Sequence, residues 1–598
     1  MQGSSGEQTT NFSDADSLGA PEKHLILAAA LIQGLALYAL KFFTAVDAWS
    51  PVWQYLSYTL VIAIPPLVIV TVAPRLARGY WWLVTGYAVL LATLAAYRGY
   101  QCTPADQVYC GDPHEFVPTI AIATFIVAFL LRACATGMAR LRKPEYSALF
   151  HYSWDNALTA GLTLVFTGIF WLILFLWQAL FKLVGVAFFH ELFEEDWFFY
   201  PVTWLVAGSG AILFRSQQSF VLTLKRLLRT MLVALLPLLA VLTIVFLATL
   251  PFTGLQPIWD TGRGSALLLW LVALLLFFTN GVIQDDFPFA RYPRWINRVL
   301  LLALVVAPFY TAFALYGLWL RIAQYGWTPE RLWGFVVALT LALLALSYSL
   351  SILRRGERWS EWLRRINTGL ALWVLAVCLV TQAPLVNFWR ISADSQLARL
   401  QDGRTELADF DFFFLRRELG RPGWEALQTL EKLPQVQQNH ALTAYLQELK
   451  GETDGIWKLR ENPLQAQARE QKLREVAVLP EGAPPPPDSA ELDLEARSCN
   501  EERRSCLWLV RDLDGDGNPE YLLFRHSERG QGDHHWLTIT AYSSGLEGWA
   551  TIARNNRKTN ETFEELQQRL KQDTFNLRPS RWQTLYLGDE LLFDPTQN

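Results

Sequence analysis

The sequence predicts an α-helical polytopic membrane bundle of about 11 TM helices, followed by an extracytoplasmic helical segment and a small α+β domain. Three observations predict it. Only 18% of the 598 residues are charged while 52% are hydrophobic, and the mean hydropathy is +0.19. A soluble globular chain carries about 25% charge. The deficit is uneven, with charges sparse from Leu25 to Trp389 and common afterwards. Apolar runs also recur at the length that crosses hydrocarbon, about 20 residues for about 30 Å.

The same composition excludes other classes. A net charge of -4 with no long basic run speaks against nucleic acid as a partner. The aromatic and aliphatic content excludes disorder for most of the chain. Residues 1–22 are polar, acidic and aperiodic, and read as a flexible cytoplasmic leader. They lack the basic start of a secretory signal, so the first apolar run is kept as an anchor.

Residues 23–389 form the predicted transmembrane domain. Spans are placed at 24–43, 53–73, 79–97, 116–137, 157–180, 199–214, 230–250, 265–283, 299–320, 333–353 and 368–388. The sixth is weakest, because Gly208 and Gly210 interrupt it. Lys and Arg favour cytoplasmic loops. With the N-terminus inside, the inner loops hold eighteen of them and the outer loops six. An odd number of spans then places the tail outside. The expected location is a bacterial inner membrane, N-terminus cytoplasmic and C-terminal domain periplasmic, with the lipid bilayer as the first partner.

Cysteine usage agrees with that orientation. Cys102 and Cys110 fall in an outer loop, and Cys499 and Cys506 in the outer tail, all on the oxidising side. Two disulfides are expected, free loop thiols being the alternative. Cys134 and Cys378 lie within spans as small apolar residues. Trp49, Trp53, Tyr80, Trp81, Trp82, Trp197, Trp319, Trp333 and Trp389 lie at span ends, as an interfacial belt requires.

Several segments invite a functional reading. Phe181 to Tyr200 mixes apolar residues with acids and reads as a helix lying in the outer interface. His190 and Glu191 begin a zinc-protease-like pattern, but Glu194 stands where the second imidazole is needed. Arg215 to Met231 reads as a basic helix on the cytoplasmic surface. Asp155 or Asn156 fits a helix N-cap before the fifth span, and Thr328 caps a helix that starts at Pro329. Arg132 is placed to snorkel toward the interface. Asn280 is a polar amide deep in an apolar run, a possible intramembrane polar site that either bridges helices or contacts substrate. Pro65, Pro66, Pro237, Pro308 and Pro384 are candidate kinks.

Trp154 to Leu158, Gly168 to Phe193, Leu250 to Leu255, Leu315 to Trp333, Ile391 to Leu400 and Asp409 to Leu427, including Gly420 and Gly423, carry a resemblance. The chain resembles a family of bacterial polytopic inner-membrane proteins designated only as a domain of unknown function. The resemblance covers most of the chain from about residue 150. It implies the architecture and brings no catalytic residues.

The tail divides further. Residues 390–478 read as a periplasmic helical segment, 479–490 as a Pro-rich linker and 491–598 as a periplasmic α+β domain. CLWLV, EYLLF, WLTITAY and WQTLYL read as strands, and Thr562 to Lys571 as a helix. Asp512, Asp514, Asp516 and Glu520 fall at positions one, three, five and nine of a Gly-containing loop, with Asn518 offering a backbone carbonyl. That spacing suits a hard cation, and the expected cofactor is structural calcium. The alternative is an acidic Asp-Gly hairpin turn. Leu523 occupies the place where an EF-hand needs glutamate. His534 and His535 read as exposed loop residues.

The functional reading that follows is a non-enzymatic envelope scaffold or sensor whose periplasmic tail binds an envelope protein partner. The alternative is a transporter, channel or lipid-handling membrane protein. A membrane enzyme has only the His190–Glu191 stretch in its favour.

Overall fold

The computed structural model describes residues 18–45, 49–74, 79–102, 115–134, 146–260, 262–283, 292–355, 359–451, 456–467, 476–486, 499, 504–513, 515–527, 535–545, 548–572, 585–587 and 590–593. The predicted leader therefore lies almost wholly outside the described residues. Helix α1 runs Ala20–Ala45, α2 Pro51–Thr71, α3 Tyr80–Tyr100, α4 Phe116–Cys134 and α5 Tyr146–Leu183. A short α6 (Phe188–Glu194) precedes α7 (Asp196–Ser216) and α8 (Gln218–Thr253). One turn of α9 (Gln256–Asp260) leads to α10 (Gly264–Val282), α11 (Arg294–Tyr325), α12 (Pro329–Arg355) and α13 (Trp359–Val380). Among the described residues, 11 of these helices are long and apolar enough to cross a membrane, as the hydropathy pattern predicts.

Their boundaries differ from expectation in instructive places. The 38 residues of α5 span about 57 Å at 1.5 Å per residue, well beyond the hydrocarbon thickness. Asp155 and Asn156 therefore sit inside the helix and cap nothing. The outer-interface helix shrinks to α6, because α5 continues to Leu183 and α7 starts at Asp196. The expected basic surface helix does not stand alone: Gln218 onward is the start of α8, and Arg215 ends α7. Arg215 is buried, and its guanidinium donates to the carbonyls of Ile69 (2.7 Å) and Val72 (2.6 Å). A cation there satisfies carbonyls that the end of α2 leaves without an intrahelical donor. Pro384 falls in the turn after α13, whereas Pro65, Pro66, Pro237 and Pro308 lie within helices.

Helices in lipid gain no hydrophobic drive from one another, so small residues that let backbones approach decide the packing. Ala303, Ala307 and Ala314 of α11 and Ala338 and Ala345 of α12 are fully buried, and α11 packs along α12. The glycines that weakened the sixth span have the same use. A Cβ on Gly208 would lie 2.6 Å from the Ala30 Cβ, and one on Gly34 would lie 2.6 Å from the Pro201 Cα. Helices α1 and α7 cross too closely for any side chain at either point.

Trp53, Trp81, Trp82, Trp197 and Trp319 are exposed, as an interfacial belt requires. Tyr80 and Trp389 depart from it. Tyr80 is buried with its hydroxyl 2.6 Å from Thr71 Oγ1, and Trp389 is buried beneath the Arg98 guanidinium, 3.6 Å from its ring centre.

The chain divides into two compact units, one of residues 1–405, 412–438 and 446–454, the other of 406–411, 439–445 and 455–598. The first unit thus includes α14 (Phe388–Gln401), α15 (Phe412–Glu418) and α16 (Gly420–Leu430) beyond the last span. Asn387 caps α14 through the Arg390 N–H and donates to the Tyr97 hydroxyl at 2.9 Å. The Arg421 N–H donates to the Gln101 carbonyl at 2.8 Å, and its guanidinium lies over the Tyr100 ring. These contacts fasten the post-span helices to the end of α3. Nearby, burial pushes the Glu115 carboxyl upward, against the opposing pull of Arg98.

Helices α17 (Pro434–Gln437) and α18 (His440–Gly451) follow. The second unit then builds a five-stranded sheet in sequence order: β1 (Val478–Leu479), β2 (Arg504–Arg511), β3 (Glu520–Ser527), β4 (His535–Gly545) and β5 (Gly548–Thr559). The β1–β2 pair is parallel and the rest antiparallel. Leu479 pairs with Leu509 and is buried, so the residue expected to open the linker belongs to the sheet. Strand β5 has no counterpart in the sequence reading, because ARNNRKT is polar on both faces. Helix α19 (Phe563–Lys571) covers one face, with Leu566 buried against Leu507, Leu537 and Phe524. Thr562 and Glu565 form its reciprocal cap. A hairpin of β6 (Leu585–Leu587) and β7 (Glu590–Phe593) completes the described elements.

Candidate functional site

Three residues expected to act separately meet at one end of the spans. Arg132, near the end of α4, is 5% exposed and does not snorkel. It donates to Asp155 Oδ2 at 3.0 Å and to Asn156 Oδ1 at 2.6 Å, and lies over the Tyr152 ring. Lys225 of α8 reaches the other Asp155 oxygen at 3.0 Å. One carboxylate therefore draws together α4, α5 and α8. The partners are 23 and 70 residues from Asp155, so no local pattern in the sequence records the cluster. The signal available was an arginine and an aspartate, each beside a long apolar run.

Next to this cluster lies an apolar crevice of about 570 Å³ between α2, α4 and α5. Its walls include Ile62, Pro66, Val117, Ile120, Phe125 and Ala128, and Asn156 contributes a polar edge. Ile62, Val117 and Phe125 are also exposed, so the crevice opens onto the outer apolar surface of these helices. That volume is typical of a small-molecule site, about 300–1,000 Å³. Thr124, also on the wall, donates to the Ile120 carbonyl of its own helix and faces the Tyr87 hydroxyl at 3.0 Å. Asn156 differs. It is 2% exposed, and its Nδ2 is buried with no hydrogen-bond partner among the described residues.

Asn280 bridges helices. Asn367 Nδ2 of α13 donates to Asn280 Oδ1 at 2.7 Å and to the Tyr146 hydroxyl of α5 at 3.2 Å. The Tyr348 hydroxyl of α12 lies 2.7 Å from Oδ1 of both asparagines and offers them a single proton. Four helices are tied at this point. A cavity of about 300 Å³ adjoins it, lined by Trp154, Phe277, Asn280 and Thr368 among others. Tyr348 and Asn367 were missed in the sequence because tyrosine and asparagine near span ends are common.

His190 is held by Gln178 at 2.8 Å and by Glu194 at 3.2 Å, and its neighbour Phe189 meets the rings of Trp177, Phe181 and Phe193. Thr328 caps α12 as expected, through the Arg331 N–H at 3.4 Å.

In the second unit Cys499 and Cys506 form a disulfide with Cα atoms 5.6 Å apart. In the first unit Cys102 is also disulfide-bonded, while Cys110 lies outside the described residues. Cys378 is a buried free thiol. Asp514 of the acidic loop lies outside the described residues. Asp512 accepts from the N–H groups of Gly515 (2.6 Å) and Gly517 (3.0 Å), both at positive φ. Asp516 accepts from the Asn518 N–H at 2.7 Å. Glu520 is buried and takes the Leu513 N–H at 2.6 Å and the Ser543 hydroxyl at 3.3 Å. Among the described residues no group of three His, Cys, Asp or Glu is arranged to hold a metal ion. His535 lies in β4, its ring 4.8 Å from that of His526, not in a loop, and His534 lies outside the described residues.

No curated protein and no solved structure matches this chain. A family model does, over residues 32–430, from within α1 to the end of α16. That stretch takes in part of the first span, the ten that follow and the helices fastened beyond them, and on it the chain belongs to the family described as a domain of unknown function, DUF4153.

Proposed function

We propose that this protein is a lipid-handling membrane protein that takes an acyl chain from the bilayer into the crevice between α2, α4 and α5. The carrying observation is the crevice itself: about 570 Å³, walled by apolar side chains and continuous with exposed Ile62, Val117 and Phe125. In a bilayer those side chains face acyl chains, so a tail enters without crossing water. Ion coupling has less support, since the charges of the Arg132 cluster are already paired to one another. The scaffold reading draws on the existence of a second folded unit and on no surface that names a partner.

The test is photocrosslinking in nanodiscs with a phospholipid carrying a diazirine on its acyl chain. Adducts should map to the crevice walls of α2, α4 and α5. They should fall several-fold in Ala121→Trp and Ala160→Trp, which enlarge exposed wall residues. Adducts spread evenly over all outer helix faces would contradict the reading.

Two further parts belong to this proposal. A cytoplasmic N-terminus and a periplasmic second unit are supported by the Lys and Arg asymmetry and by the Cys499–Cys506 disulfide, a bond of oxidising compartments. A structural calcium ion in the Asp512–Glu520 loop is supported by the carboxylate spacing and by Gly517 at the sixth position with φ 88°.

A further inference from the structure

Among the described wall residues of the crevice, Asn156 is the one with a buried polar side-chain atom that has no hydrogen-bond partner. Arg132 carries only donors, so it fixes the amide orientation: Oδ1 faces the guanidinium at 2.6 Å, and Nδ2 is turned away. That Nδ2 is buried and has no partner among the described residues. A buried donor left unmade is costly. The position also has a defined chemistry. On one side are the charges of Arg132, Asp155 and Lys225, on the other the apolar wall of Ile120, Ala128 and Leu67. A diacyl lipid has the same order along its length, from charged headgroup through ester carbonyl to hydrocarbon. The group at the join is a neutral acceptor, which matches a neutral amide donor.

We infer that the crevice binds a glycerophospholipid, and that Asn156, oriented by Arg132, donates from Nδ2 to the ester carbonyl of the chain that fills it. The inference rests on the lipid reading above and goes beyond it, since an acyl chain alone needs no such donor. It makes Asn156 a selectivity residue, because a phospholipid whose chains are ether-linked fills the same space and offers no carbonyl.

The experiment uses the purified full chain and native mass spectrometry. The probes are dioleoyl phosphatidylglycerol, its diether counterpart with matched chains, and oleate. The wild type should retain the ester lipid about two- to tenfold more tightly than the ether lipid, the effect of one net hydrogen bond. Asn156→Leu should bind both equally, with the ester lipid reduced to the level of the ether lipid. Equal retention of ester and ether lipid by the wild type would overturn the role of Asn156 and leave the crevice reading standing. Tighter binding of oleate than of the ester lipid would assign the donor to a free carboxylate and overturn the phospholipid. Retention of neither phospholipid, or retention unaffected by Ala121→Trp with Ala160→Trp, would overturn the crevice reading itself. The ester–ether comparison on the wild type needs no variant to fold.

Discussion

Replacing Asp155 with leucine removes the carboxylate that Arg132 and Lys225 both approach at 3.0 Å. The side chains of Arg132, Lys225 and Asp155 are 4%, 16% and 21% exposed, so the water that would screen an open ion pair is largely absent. Breaking a buried pair from one side costs about 3–5 kcal/mol, mostly because the opposite charge stays behind. With two cations facing one partly open carboxylate, the lower end, about 3 kcal/mol, is expected. The scale for a large domain is about 2 °C per kcal/mol, so the melting midpoint should fall by about 6 °C. The assay is thermal unfolding of the full chain in nanodiscs at a fixed scan rate, since membrane proteins of this size unfold irreversibly. A second variant separates charge from packing. Asp155→Leu with Arg132→Met and Lys225→Met replaces the whole cluster by apolar groups and should recover most of the loss, because such replacements are often close to neutral. An Asp155→Leu midpoint equal to wild type, or a triple variant worse than the single one, would refute the reasoning.

Gln33 of α1 is fully buried, and neither amide atom has a hydrogen-bond partner among the described residues. Gln33→Leu should therefore raise stability by about 1–3 kcal/mol, and a lower melting midpoint would mean that the amide is satisfied. Cys506→Ser opens a disulfide of sequence separation 7, and should cost the second unit about 2–3 kcal/mol by loop entropy. An unchanged transition of that unit would show the bond to be dispensable. Millimolar calcium should raise the melting midpoint of the second unit in the full chain relative to chelator, and Asp512→Asn with Asp516→Asn should abolish the difference. No shift on adding calcium would remove the ion from the Asp512–Glu520 loop.

The membrane architecture was legible because it depends on composition summed over 20-residue windows, which one sequence states fully. Asn280 was legible as well, since one amide in an apolar run is conspicuous. Its partners Tyr348 and Asn367 lie 68 and 87 residues away, and only the folded chain brings them together. The Arg132 cluster failed for the same reason with a sharper consequence. Read locally, Arg132 snorkels and Asp155 caps; in the bundle, the long α5 carries Asp155 and Asn156 a few turns inward, where each needs a partner from another helix. Gly208 and Gly210 misled in the opposite sense. They depress a hydropathy average, while a close α1–α7 crossing requires the missing side chain at Gly208. The helices after the last span read as tail because their charge content is ordinary. Gly420, with φ 52°, leaves no room for a Cβ against Trp389 and the Gln101 carbonyl, a fit that no local pattern records.

The crevice between α2, α4 and α5 is the centre of the functional account, and a density map of the full chain in native-lipid nanodiscs tests it most directly. Elongated density lying along Ile62, Ile120 and Phe125, with its polar end at Asn156, is the result the account predicts. Side chains closed over an empty crevice, with Asn156 Nδ2 bonded to protein, would contradict it.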